Sequence, residues 1–181
     1  MDKQTYFNSV TQQVLELKDL AAVQVEKCFD LQKLKEMLPP ETAGKIQRVI
    51  VTGCGDSYSA AGAMRPALRE LSGIYDCNAP DVVDFCRYYS ENRILKRHRP
   101  EEVLVISISF SGNSVRAAEA LERAKNLGLY SLAITGNKAS RCGEAAELVL
   151  DVETPQGCNT PGLRSYYASL VALSAVGAYL G

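Results

Sequence analysis

The 181-residue chain has no tryptophan and a single histidine, His98. Its six cysteines, at positions 28, 54, 77, 86, 142 and 158, include no C-x-x-C pair. A zinc centre needs three or four Cys or His ligands at suitable spacing, so no metal site is expected. A chain of this length buries a core of its own and does not depend on a disulfide framework. The cysteines read as reduced thiols of a cytoplasmic protein, most of them packed as small apolar groups. An excess of either charge is also missing: 20 Lys and Arg stand against 21 Asp and Glu, a net charge of −1. Non-specific nucleic-acid binding rests on many cationic contacts, and this balance argues against it. No apolar run approaches the roughly 20 residues that span a bilayer, so no membrane is implied. The amino terminus is polar and acidic from Asp2 and lacks the form of a signal peptide. Linkers, repeats and low-complexity tracts are absent as well.

What is present is alternation. Residues 4–29 read as one long amphipathic helix, with Phe7, Val10, Val14, Leu17, Ala21 and Cys28 on one stripe. A shorter helix follows at Leu31–Leu38, stopped by Pro39-Pro40. From residue 46 five strand-like runs appear: Val49–Thr52, Ile74–Asn78, Val103–Ser107, Tyr130–Thr135 and Leu148–Val152. Helical stretches at Ser57–Leu71, Val82–Tyr89, Ser114–Leu127 and Ser140–Ala145 lie between them, and a last helix covers Arg164–Leu180. The helix from Ser114 is marked by Asn113 before its first turn, a Glu119–Arg123 pair and Gly128 as its stop. Strands alternating with helices predict right-handed βαβ units and a parallel sheet covered on both faces. The continuous apolar character of the runs agrees. The expected division is a helical segment, 1–45, followed by one α/β domain, 46–181.

Two of the strand ends look alike. "VIVTGCGDSYSAAG" (Val49–Gly62) and "VISISFSGNSVRAA" (Val105–Ala118) both pass from β-branched residues through Gly and Ser into an alanine-rich helix. In the doubly wound order 2-1-3-4-5, strands one and three flank the point where strand order reverses, and ligands bind beyond that crevice. Each loop leads into a helix amino terminus, where free N–H groups and the helix dipole favour an anion. Serine hydroxyls add uncharged donors: Ser57 and Ser59 in the first loop, Ser107, Ser109, Ser111 and Ser114 in the second. Neither loop has the lysine of a nucleotide-binding P-loop. The dinucleotide fingerprint begins with Gly53 and Gly55 but has Tyr58 where its third glycine belongs. A phosphate on a small organic body fits better than a nucleotide.

Cys54-Gly55-Asp56-Ser57-Tyr58 and Ser109-Phe110-Ser111-Gly112-Asn113-Ser114 resemble the two phosphate-binding loops of the sugar isomerase (SIS) domain family. They are most similar to C-G-T-S-Y and S-Q-S-G-E-T in the first SIS domain of glucosamine-6-phosphate synthases and in fructosamine-6-phosphate deglycases. "DFCRYY" (Asp84–Tyr89) is similar to the E-F-R-Y of that family. The resemblance covers residues 45–181. It implies a flavodoxin-like, three-layer fold and a phosphorylated sugar as ligand, with no cofactor. By position, the implied substrate-binding residues are Gly55, Ser57, Ser109, Phe110, Ser111, Gly112 and Ser114. Phe110 and Asn113 stand where the family has glutamine and glutamate, and Arg164 falls near a family lysine that contacts the sugar. Heptose-phosphate isomerases of the family carry a glutamate about ten residues after the first-loop serine. Ala67 occupies that place, a departure from that branch.

The implied activity is aldose–ketose isomerisation of a sugar phosphate or cleavage of a fructosamine phosphate. The alternatives are a non-catalytic phosphosugar sensor and the first half of a two-SIS-domain enzyme. The base for proton transfer stays open. His98 lies in "LKRHRPEE", which reads as a solvated basic loop. Asp56 reads as a helix cap and Glu70 as a solvent-facing residue. Glu153, just after the fifth strand, is the acid expected on the ligand side of the sheet. A striped helix ahead of a sheet already covered on both faces predicts a homodimer or tetramer.

Overall fold

The computed structural model of the chain describes residues 8–155 and 162–181. Helices α1 (Ser9–Cys28), α2 (Leu31–Met37) and α3 (Pro40–Ala43) lead into β1 (Arg48–Gly53) and α4 (Asp56–Ser72). β2 (Asp76–Asn78) is followed by a π-helical turn at Asp84–Tyr88, α5 (Glu91–Leu95) and a 3₁₀ turn at Pro100–Glu102. Then come β3 (Val103–Ile108), α6 (Val115–Asn126), β4 (Tyr130–Thr135), α7 (Arg141–Ala145), β5 (Leu148–Asp151) and α8 (Leu163–Leu180). The five strands are all parallel, in the order β2-β1-β3-β4-β5, with Arg48–Gly53 in register with Val103–Ile108. The order, class and layering read from the sequence hold.

β1 and β3 are buried along their whole length, as central strands of a parallel sheet must be. Alternate side chains serve opposite layers. Val49, Val51, Leu104, Ile106, Leu132 and Ile134 pack under α4 and α8. Ile50, Val103 and Val105 pack with Phe85, Ile94, Ala120 and Ala124 on the other face, where Ala133 meets α6 and Cys142. Helix α6 is held by different groups than its sequence suggests. Ser114, not Asn113, caps it, accepting from Ala117 N at 3.3 Å. Glu119 takes Arg116 and Arg87, each at 2.6 Å. Arg123 instead donates to the carbonyls of Phe85 and Tyr89, binding the π-helical turn to α6. The stop at Gly128 is as expected: Gly128 N bonds Lys125 O and Leu129 N bonds Ala124 O, each at 3.0 Å. Pro39-Pro40 ends α2 but also opens α3, because a proline at the first helical position loses no hydrogen bond.

Helix α1 corrects the predicted stripe. Its buried residues are Gln13, Leu20, Gln24 and Cys28, while Val10 and Val14 are exposed. Phe7 lies outside the described residues. The reason is hydrogen bonding. Gln24 Nε2 donates to Glu153 O at 3.0 Å, and Gln13 Oε1 accepts from Arg164 N at 3.4 Å. These backbone groups, after β5 and at the start of α8, need partners once covered, and the two amides supply them. The helix is thereby turned so that part of its apolar stripe faces outward.

Candidate functional site

β1 ends at Gly53, where a side chain would run into Ser57 Cβ and the Ile108 carbonyl. Glycine there lets the first loop lie directly on the end of β3. The loop then enters α4 through Gly55, whose backbone is left-handed (φ 55°), and no side chain caps that helix. An uncapped amino terminus has N–H groups free for an anion. The second loop is pinned by β4: Ser109 N bonds Ile134 O at 3.0 Å and Gly136 N bonds Phe110 O at 2.8 Å. Gly112 sits at φ 71° and its carbonyl accepts from Cys142 N at 2.9 Å. The two loops touch where Cys54 Sγ meets Ser114 Oγ at 3.4 Å.

Together they line an open cavity of about 360 Å³, formed by Cys54, Asp56, Ser57, Ile108, Ser109, Phe110, Ser111, Ser114 and Ser165. Five of the seven residues assigned by resemblance are in this lining, and Gly55 and Gly112 shape the loops beside it. Two of the serine donors expected from the sequence are not there. Ser107 is fully buried and spends its hydroxyl on Ala117 O, and Ser59 turns back to Gly55 O. Ser165, on the first turn of α8, was not legible as a site residue. Only the packing of α8 against α4 brings it to the cavity. Among the described lining residues there is no lysine, arginine or histidine, and the one carboxylate is Asp56. Asp56 does not cap α4, and it also lines an adjoining apolar hollow of about 320 Å³ with Val10, Gly162, Leu163 and Tyr166.

The other candidates lie elsewhere. Glu153 is exposed, does not line the cavity, and belongs to the end of edge strand β5. β4 separates β5 from β3, so Glu153 stands about 10 Å to the side of the crevice. Glu70 is exposed near the end of α4, as expected. His98 is not a freely solvated residue: its Nε2 lies 3.2 Å from Asp76 Oδ2, and its side chain is 19% exposed. Asp76 also pairs with Lys96 at 2.9 Å and with Arg48, which is 1% exposed and donates to Ile94 O at 2.6 Å. Burial pushes the Asp76 carboxyl up, but the hydrogen bond from Lys96, the charge and hydrogen bond of Arg48 and the hydrogen bond from His98 hold it at about 2. Arg48 and Asp76 open their strands, so this cluster sits at the amino end of the sheet, opposite the serine cavity. Arg164 is buried against α1, donating to Pro155 O at 2.7 Å, and is not in the cavity lining. Cys158 and Asn159–Pro161 lie outside the described residues. A larger cavity of about 470 Å³ runs along the outer edge of β5, between Lys27, Leu34, Met37 and Lys138. Its lysines are already paired, Lys27 and Lys138 with Asp151 and Lys33 with Asp30. Neither Gly/Ser loop reaches it.

Residues 91–179 match the model of the SIS domain family. That segment holds β3, the second serine loop and most of α8, whereas the first loop precedes it. Over 137 residues the chain is 31% identical to a phosphoheptose isomerase of Desulfovibrio desulfuricans, covering 64% of each chain. It is 32% identical over 142 residues to a glutamine–fructose-6-phosphate aminotransferase (isomerizing) of Pseudomonas syringae, covering 78% of this chain and 22% of that one. The C-terminal domain of a glucosamine-fructose-6-phosphate aminotransferase from Francisella tularensis superposes with a TM-score of 0.79 at 15% identity, covering 99% of this chain and 51% of that one. A five-stranded parallel sheet in this order, with serine loops after β1 and β3, is a doubly wound fold that matches the fold of phosphosugar isomerases. Over residues 91–179 the chain matches the SIS domain family, and it is similar to phosphoheptose isomerases and to part of the isomerizing aminotransferases. It spans about two thirds of the first of these relatives and about a fifth of the second. Ala67, read from the sequence as a departure from the heptose-phosphate branch, is half-buried within α4.

Proposed function

We propose that the cavity between the first and second serine loops binds the phosphate of a phosphorylated sugar. On this reading the protein acts in aldose–ketose isomerisation of a sugar phosphate or in the related cleavage of a fructosamine phosphate. The observation that carries it is the convergence of two Gly/Ser loops and an uncapped helix terminus on one open cavity at the carboxyl end of the sheet. The names of the relatives support it, since each contains a sugar-phosphate activity. Gly55, Ser57, Ser109, Phe110, Ser111, Gly112 and Ser114 form the binding set, within a sugar-phosphate domain spanning residues 46–181. Anchoring the phosphate holds the open-chain sugar so that a positioned acid or base acts at carbon 1 or 2.

A second reading, a phosphosugar-binding module without catalysis, is favoured by one observation: Asp56 is the sole acid among the described lining residues and no histidine or lysine joins it. Exposed Val10, Val14 and Val25 on α1 support a homodimer or tetramer, and the unpaired state of all five described cysteines supports the cytoplasm. The test is thermal denaturation with glucose 6-phosphate, fructose 6-phosphate, glucose, fructose and inorganic phosphate. Ligand at about 100 times its dissociation constant stabilises the fold by roughly 2.7 kcal/mol. Equal shifts from sugars and sugar phosphates would remove the phosphate assignment. Deuterium exchange at carbon 1 of fructose 6-phosphate in heavy water then separates the isomerase from the binding module.

A further inference from the structure

The phosphate cavity has a charge of the wrong sign for a simple dianion. Its described lining has no cation, and its one ionisable carboxylate, Asp56, carries the same sign as the phosphate. Asp56 is the first residue of α4 and is exposed. Its carboxylate forms no hydrogen bond or ion pair with any other described residue. Neither structural duty explains it: among the described residues it caps no helix and closes no salt bridge. Its position is specific, at the junction of the serine cavity and the apolar hollow against Leu163 and Tyr166. Oδ2 points toward α8, 3.4 Å from where a side chain on Gly162 would begin. A ligand with its phosphate among the serines and its body reaching toward α8 therefore passes this carboxylate. Arg116, on the first turn of α6, pairs with Glu119 at 2.6 Å and not with Asp56.

We infer that Asp56 is a specificity-determining residue, which selects sugar phosphates bearing a protonated amine over those with only hydroxyls. This rests on the phosphosugar reading of the cavity. The chemistry is charge complementarity at the mouth of an open cavity. A phosphate held by neutral hydroxyls and backbone N–H groups leaves Asp56 as an uncompensated repulsive charge. An ammonium on the same ligand converts that repulsion into a charge-assisted hydrogen bond. A zwitterion thus satisfies both ends of the cavity, and a plain sugar phosphate satisfies only one.

The experiment measures dissociation constants by calorimetry for glucose 6-phosphate, glucosamine 6-phosphate and N-acetylglucosamine 6-phosphate. The last keeps the nitrogen but removes its charge. In the unmodified protein glucosamine 6-phosphate is expected to bind about tenfold or more tightly than the other two. In Asp56→Asn that ratio falls to near one, chiefly through weaker glucosamine 6-phosphate binding, while glucose 6-phosphate binds as well or better. Asp56→Ser, which removes the carboxylate with a different shape, gives the same collapse. Melting without ligand confirms that both variants fold. A preference that survives both substitutions overturns the inference. So does the absence of any preference in the unmodified protein. Ser111→Ala separates the two levels of the reading. If it weakens all three ligands alike while Asp56→Asn changes no ratio, the phosphate cradle stands and the role of Asp56 falls. If it weakens none, the cradle itself is misplaced and the role of Asp56 falls with it.

Discussion

Gly112 is the position where backbone, packing and proposed binding are most tightly joined, and Gly112→Ala tests that joint. The residue sits at φ 71°, a left-handed conformation that costs an L side chain roughly 1–2 kcal/mol. An added methyl would also fall inside van der Waals contact with Ser140 and lie 2.9 Å from Thr135 Oγ1. Ser140 cannot yield freely. Its hydroxyl donates to Asn137 O at 2.5 Å and caps α7 by accepting from Gly143 N at 3.4 Å. Forcing a methyl into such a fit costs about 1–3 kcal/mol, and losing the cap costs about 1 kcal/mol more. The expected loss is therefore about 3–6 kcal/mol. At roughly 2–4 °C per kcal/mol for a chain of this size, the melting temperature drops by about 6–24 °C. Scanning calorimetry of the purified variant reads this directly. Gly112→Ala combined with Ser140→Gly removes the clash with Ser140 but keeps the positive φ and the close Thr135 hydroxyl, so it should recover about half of the loss. A single variant that melts within about 2 °C of the unmodified chain would refute the reasoning. A double variant no better than the single one would show that Ser140 is not the obstacle.

The Asp76 carboxyl, held at about 2 against an ordinary value of 3.8, stabilises the fold above about pH 4. Its folded pKa is the lower one, so this contribution, about 1–2 kcal/mol at its partial exposure, is lost as pH falls through about 2. Asp76→Asn abolishes that acid limb in urea titrations and costs about 3–5 kcal/mol at neutral pH, because Arg48 is left buried without its partner; an unchanged acid limb would discount the cluster. Among the serines, Ser111→Ala and Ser114→Ala should each weaken sugar-phosphate binding by about 0.5–1.5 kcal/mol, whereas Ser59→Ala should not. Ser107→Ala should lower the melting temperature without changing affinity, and isothermal titration separates the four. Cys54 is exposed, while burial pushes the Cys28, Cys77 and Cys86 thiols up to about 11. Iodoacetamide near pH 8 should therefore modify Cys54 first among the five described cysteines, and a sugar phosphate bound in the cavity should slow it; mass spectrometry of the peptides counts both.

The sheet was legible because a buried parallel strand needs an apolar or small residue at every position. Val103–Ile108 and Tyr130–Thr135 satisfy that in the sequence alone. The crevice was legible for a topological reason. Once five strands alternate with helices, the order 2-1-3-4-5 places the ends of strands one and three side by side, and both ends read as Gly/Ser loops. The serines around the second loop look alike in the sequence but do not share one fate. Ser107 points into α6 and Ser111 lines the cavity, a difference set by the pleat of β3 and by where that strand stops.

Local pattern, then, determined the strands, most helix limits, the layer order and the pair of loops that face each other, since each depends on residues close in sequence. The orientation of α1 was decided by tertiary structure. The amides of Gln13 and Gln24 answer backbone groups more than 120 residues away and so outrank the apolar stripe. The same holds for His98, drawn from its basic loop onto Asp76, and for Glu153, carried aside by an edge strand. It holds also for Asp56, whose carboxylate lies between the serine loops and α8 and not over its own helix end. Hydrogen-bond satisfaction and charge pairing act through space, and neighbours in space are what a linear pattern does not record.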